Sequence, residues 1–158
     1  MQLGCIWTTL IGMCEHCDYS EMLLSNGVDP TPLRKAVLRA VGEALRPLTA
    51  AEIMTVVMHE MSINKVTVYR ILDLMVDKGL IRRLWAGDRA FRYGMGDCPN
   101  HPDHAHFVCM QCGVMECMEA EAVPRGIGSA RIKGGHLVKR VDVRFEGICG
   151  ACEHAERR

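Results

Sequence analysis

The sequence predicts an α/β chain of the α+β kind: an N-terminal winged helix-turn-helix followed by a small α/β unit. Three observations carry this. Apolar residues recur at helical spacing in three stretches between Pro32 and Lys78. A strand-like segment folded about Ala86-Gly87-Asp88 follows them directly. Two CxxC pairs, Cys109/Cys112 and Cys149/Cys152, then bracket the C-terminal third.

Residues 1–29 read as an acidic N-terminal tail. They carry Glu15, Asp18, Glu21 and Asp29, no Lys or Arg, and a third pair, Cys14-Glu-His-Cys17. The winged-helix region is expected over 30–94. Pro32 suits a first helical turn, and Leu33, Val37, Leu38, Val41 and Leu45 follow at helical period. Thr49 with Glu52 three residues later is a capping-box signature that opens the second helix. In the third helix, Val68, Leu72 and Met75 share one face while Arg70 and Asp77 lie opposite, and Gly79 fits the stop. LIRRLWAGDRAFRY then supplies two strands of a wing. Glycines and prolines make 95–103 a linker. The second unit is expected over 104–153: HAHFVC and VMEC as strands about a CxxC turn, a poor helix candidate around Pro124, and a strand over Val141 to Phe145. Residues 154–158 read as a charged tail.

Formal net charge is zero over 158 residues, yet between Arg34 and Arg92 the bases outnumber the acids. A local basic footprint is what nucleic acid requires. No run is long enough to span a bilayer, and the apolar start lacks the basic residues of a signal peptide, so a cytoplasmic chain with no membrane partner is expected. Nine cysteines in a reducing compartment point to metal binding or redox work rather than structural disulfides.

Zinc in a structural site takes four tetrahedral ligands, often all thiolate. Cys109, Cys112, Cys149 and Cys152 supply four, with 36 residues between the pairs, so a subdomain lies between them and a Zn²⁺ ion would pin its ends. The alternative is a thioredoxin-like dithiol, which would make the chain a CxxC thiol oxidoreductase. A second set is His104 and His106, on one side of a strand, with Cys98 nearby in the linker. Two exposed surface histidines are the alternative.

The order TVYRILDLMVDKGLIRR, HAHFVCMQCG, GICGAC resembles the ferric uptake regulator superfamily of bacterial metal-dependent repressors, over roughly residues 30–153. The resemblance implies a winged helix, a C-terminal α/β dimerisation domain and a structural zinc on the paired CxxC motifs. It also implies a regulatory metal at the hinge, held by His104, His106 and a linker residue, here Cys98. Cysteine at that linker position is similar to the zinc-uptake-regulator branch, whereas iron- and peroxide-sensing relatives carry a carboxylate. A thiolate with two imidazoles suits Zn²⁺; carboxylates and imidazoles suit Fe²⁺ or Mn²⁺. Asp97 adjoins Cys98, and Cys117 or its neighbour Glu116 would be the fourth ligand.

The function so implied is zinc-responsive repression of zinc-uptake genes, by a homodimer on a two-fold double-stranded DNA operator; the alternative senses iron, manganese or peroxide. Expected DNA contacts are Asn64, Lys65, Thr67, Tyr69 and Arg70 on the third helix, Arg34 and Lys35 on the first, and Arg89 in the wing. No nucleophile, base and orienting group assemble in the sequence, so no enzyme is expected.

Overall fold

The computed structural model describes residues 17–85, 91–96, 104–118, 131–132, 136–137 and 141–156. The chain divides into two compact units, Met1–Pro102 and Asp103–Arg158.

In the first unit α1 (Tyr19–Ser25) precedes α2 (Pro32–Gly42), β1 (Leu48–Thr49), α3 (Ala50–Met58), α4 (Lys65–Asp77), β2 (Ile81–Trp85) and β3 (Phe91–Met95). Each helix start has a local cause. Thr31 caps α2, with Pro32 in its first turn. Thr49 and Glu52 form a reciprocal box at α3: the Thr49 amide donates to Glu52 at 2.7 Å, and the Glu52 amide donates to Thr49 Oγ1 at 3.2 Å. Asn64 caps α4, accepting from the Thr67 amide at 2.9 Å. Leu38, Ile53, Leu72 and Met75 are wholly buried where these helices meet. The antiparallel sheet has the order β1-β3-β2, and β2 and β3 are the wing.

Two expectations fail here. The first helix stops at Gly42, so Leu45 is 63% exposed instead of continuing the apolar face. The supposed acidic tail carries α1, whose Leu23 is fully buried in the core. Asp18 caps it, accepting from the amides of Ser20 and Glu21 at 2.9 and 3.0 Å. The Tyr19 ring lies so close over α2 that a Cβ built on Gly42 would sit 2.7 Å from its hydroxyl.

In the second unit β4 (His106–Cys109) pairs antiparallel with β5 (Met115–Cys117) and parallel with β8 (Arg144–Gly147). The short strands β6 (Arg131–Ile132) and β7 (His136–Leu137) pair with each other, and α5 (Gly150–Glu156) follows β8. The strand expected over Val141 to Phe145 therefore runs later, with 141–143 irregular. The tail expected from 154 instead completes α5. Of the expected linker, Met95 ends β3 and Gly96 is described, while 97–103 lie outside the described residues. So do Cys14, the turn expected at Ala86-Gly87-Asp88 and Pro124.

Candidate metal centres and nucleic-acid interface

The parallel pairing of β4 with β8 explains the long gap between the cysteine pairs. Parallel neighbours need a long crossover, and Cys109 stands opposite Gly147, two residues before Cys149. The four sulfurs of Cys109, Cys112, Cys149 and Cys152 lie within 4.8 Å of one another. Cys112 and Cys149 are 3.7 Å apart, Sγ to Sγ. A disulfide would need about 2.05 Å. A tetrahedron with zinc–sulfur bonds of about 2.3 Å has edges of about 3.8 Å, so the spacing fits the ion.

The backbone is shaped for thiolate. The Cys149 amide donates to Cys109 Sγ at 3.3 Å. Gly113, at φ 73°, turns the chain after Cys112, and its amide donates to the Cys109 carbonyl. Amide donation from Cys112 and Cys149 brings the Cys109 thiol down to about 6. Cys152 moves the other way: hydrogen bonding with Cys149, with burial, pushes it up to about 12. Four touching thiols cannot all ionise unless a cation shares the site. This donor set could hold a metal ion, and two converging pairs are not the lone dithiol of an oxidoreductase.

The second cluster lies on the other face of the same strand. Alternation puts His104, His106 and Val108 on one side of β4, and Ala105, Phe107 and Cys109 on the other. Cys109 is thus the last strand residue rather than part of the following turn. His106 faces Cys117 across the antiparallel pair, and donor atoms of His104, His106 and Cys117 lie within 4.8 Å of one another. The two imidazole centroids are 4.7 Å apart. Burial pushes the Cys117 thiol up to about 11, a shift that a bound dication would reverse. Glu116, the other candidate, stands opposite Phe107 and is exposed, so alternation turns it away from the histidines. Cys98 and Asp97 lie outside the described residues.

On α4, Lys65 and Arg70 are exposed and Tyr69 is 42% exposed, with Lys65 Nζ 5.9 Å above its ring. Asn64 and Thr67 differ from expectation. The Thr67 hydroxyl donates to Asn64 Oδ1 at 3.0 Å, so the donor expected for phosphate is spent on the helix start. Arg34 is half-buried and donates to the Asp29 carbonyl at 3.0 Å, with the Asp29 carboxylate 3.8 Å away. Lys35 is half-buried on α2, and Arg89 lies outside the described residues.

A cluster missed in the sequence links α4 to the wing. Arg83 pairs with Asp73 of α4, and its guanidinium lies 5.0 Å from the Phe91 centroid and 5.9 Å from that of Tyr93. Trp85 meets Phe91 edge-on at 5.3 Å. The signal was present as Arg83 and Trp85 in one strand, and Phe91 and Tyr93 in the next, each at period two. Among the described residues no helix is long and apolar enough to cross a membrane.

The ferric uptake regulator family matches residues 25–143. The ferric uptake regulation protein of Bacillus subtilis is 28% identical over 138 residues, covering 86% of this chain and 93% of that protein. The zinc uptake regulation protein of Escherichia coli is 26% identical over 127 residues, covering 80% and 74%. The solved Vibrio cholerae ferric uptake regulator shares the fold, with a TM-score of 0.68 at 19% identity over 84% of this chain and 100% of that one. A zinc uptake regulator solved with zinc and DNA gives 0.56 at 23%, over 90% and 99%. These relatives are regulators, and the chain is not an enzyme. The chain belongs to the ferric uptake regulator family of metal-responsive transcriptional regulators.

Proposed function

We propose that this regulator is a zinc-responsive repressor of zinc-uptake genes, acting in the cytoplasm as a homodimer on a two-fold operator. The carrying observation is the convergence of His104, His106 and Cys117, two imidazoles and a thiol, within 4.8 Å. That set is softer than the carboxylate-rich sites that suit Fe²⁺ or Mn²⁺. Cys98 from the preceding linker is the proposed fourth donor and would soften it further. Cys109, Cys112, Cys149 and Cys152 are the proposed structural zinc ligands, closed to solvent chemistry by having four protein donors.

The protein's own work is linkage. His104, His106 and Cys117 belong to the second unit, and Cys98 precedes it. Engaging all four restrains the linker and so sets the spacing of two α4 helices in the dimer to that of the operator half-sites. On that helix Lys65, Tyr69 and Arg70 are the proposed groove and phosphate contacts, with Arg34, Lys35 and Arg89 on the backbone. Thermodynamic reciprocity then requires DNA to tighten metal binding by the same free energy.

The iron-responsive reading of the same architecture is favoured by the 28% identity to the B. subtilis ferric uptake regulation protein. Operator binding by apo-protein titrated with buffered Zn²⁺, Fe²⁺ and Mn²⁺ separates the two. Zinc is expected to activate at the lowest free concentration; tighter activation by Fe²⁺ would overturn the zinc assignment. Cys98→Ser is expected to weaken zinc-dependent binding, and an unchanged response would remove Cys98 from the site.

A further inference from the structure

Large aromatic side chains left in water need a reason, and the wing has two together. Trp85 is 46% exposed and Phe91 42%, they face each other across the β2–β3 pair, and their rings stack edge to face. The pair is not isolated. Arg83 lies over Phe91 and reaches back to Asp73 of α4. Asp73 is one helical turn beyond Tyr69, which is one turn beyond Lys65, and Lys65 sits over the Tyr69 ring. A single ridge therefore runs Lys65, Tyr69, Asp73, Arg83, Phe91, Trp85, from the exposed face of α4 onto the wing.

The charges along this ridge are largely used internally. Arg83 neutralises Asp73, so neither is available to a phosphate or a cation. What the wing end offers is a rigid aromatic surface, with few rotamers to lose on contact, continuous with the helix proposed to enter the major groove. We infer that Trp85 and Phe91 form a second, uncharged contact with the DNA duplex, packing on the apolar face of deoxyribose along the edge of the groove that receives α4. Arg83 is the positioning residue that holds the wing against the helix. The inference rests on the DNA-binding reading given above. An apolar contact of this kind adds affinity without releasing counterions, so it leaves the salt dependence of binding untouched.

The chain has two tryptophans, Trp7 and Trp85, so Trp7→Phe makes Trp85 the sole indole reporter. The probe is a duplex recovered by the zinc-loaded full-length protein from a random-sequence pool. Saturating duplex is expected to quench or shift Trp85 emission. The double variant Trp85→Ala, Phe91→Ala is expected to bind about tenfold more weakly, with the parent's slope of log affinity against log salt, at a temperature where its melting curve shows it still folded. Phe91→Tyr is expected to bind like the parent. Unmoved Trp85 emission at saturation, or parental affinity in the double variant, would overturn the inference while the DNA-binding reading stands, with Arg70→Ala as the control that loses binding. A changed salt slope would also overturn it, because the lost contact would then be ionic. Recovery of no duplex under any metal would instead defeat the DNA-binding reading itself.

Discussion

At the scale of single residues, the instructive pair is Glu116 and Cys117. They are neighbours in sequence, and either chemistry completes a tetrahedron with the two histidines and Cys98. Composition could not choose between them, because the choice depends on strand register. Once His106 stands opposite Cys117, period two turns Glu116 to the other face. Cys117→Ser is therefore expected to reduce bound metal from two ions per protomer to one, and Glu116→Gln to leave it at two, by metal analysis of purified protein. Retention of two ions in Cys117→Ser would remove Cys117 from the site. Gly42 is a second example. Its tolerance of the Tyr19 ring depends on a contact 23 residues away, which no local pattern encodes. Gly42→Ala is expected to destabilise the first unit by roughly 1–3 kcal/mol through overpacking, read as a lower urea midpoint.

At the scale of elements, what was legible was what local chemistry decides. The Thr49–Glu52 box, Pro32 in the first turn of α2 and the apolar face of α4 each follow from residues within one or two turns. The two missed helices, α1 and α5, have seven residues each, too few for periodicity to register. Tertiary contact holds α1, through Leu23 and Tyr19. In α5, Cys152 belongs to the four-thiol cluster, so a pattern read only as a metal motif concealed a helix. The start of β8 was misjudged because Val141 and Val143 alternate like a strand but precede the segment that pairs with β4.

The capping box also carries a pH dependence. Burial pushes the Glu52 carboxyl up, but hydrogen bonds from Arg46 and Thr49 and the charge of Arg46, 2.6 Å away, outweigh it and hold the group at about 2 instead of 4.5. A depressed carboxyl stabilises the fold above its unfolded value and loses that contribution as pH falls from about 4.5 to about 2. Glu52 is 38% exposed, so solvent screening limits the effect to about 1 kcal/mol or less. Glu52→Gln keeps the box geometry without the titration. Its urea midpoint is expected to fall less than the parent's over that interval, and parallel curves would show that Glu52 is not the group responsible.

For the whole molecule, the two units have unlike sources of stability. The first buries a broad core from Leu23 to Tyr93. In the second, Ala105, Val108, Cys109 and Met115 are the buried apolar residues among those described. Beside them the four sulfurs of Cys109, Cys112, Cys149 and Cys152 converge, so on the proposed metal reading an ion would tie β4 to the residues after β8. Stripping metal with a strong chelator is expected to unfold the second unit alone. Limited proteolysis should then leave a protected fragment ending near Pro102, and a single cooperative loss of both units would contradict this division. The boundary between the units was legible from glycines and prolines.

The Cys109–Cys112 turn that gives two sulfurs to the clamp is also the turn of the β4–β5 hairpin, and that hairpin alone puts His106 opposite Cys117. On the proposed metal reading assembly has an order: the four-thiolate site shapes the turn on which the second cluster depends, so the first equivalent of metal is expected to go to it and the second to the sensing cluster. Stepwise loading of the apo-chain is expected to saturate the four-thiolate signal before the histidine-containing cluster fills. Simultaneous filling would mean that the hairpin keeps its register unaided.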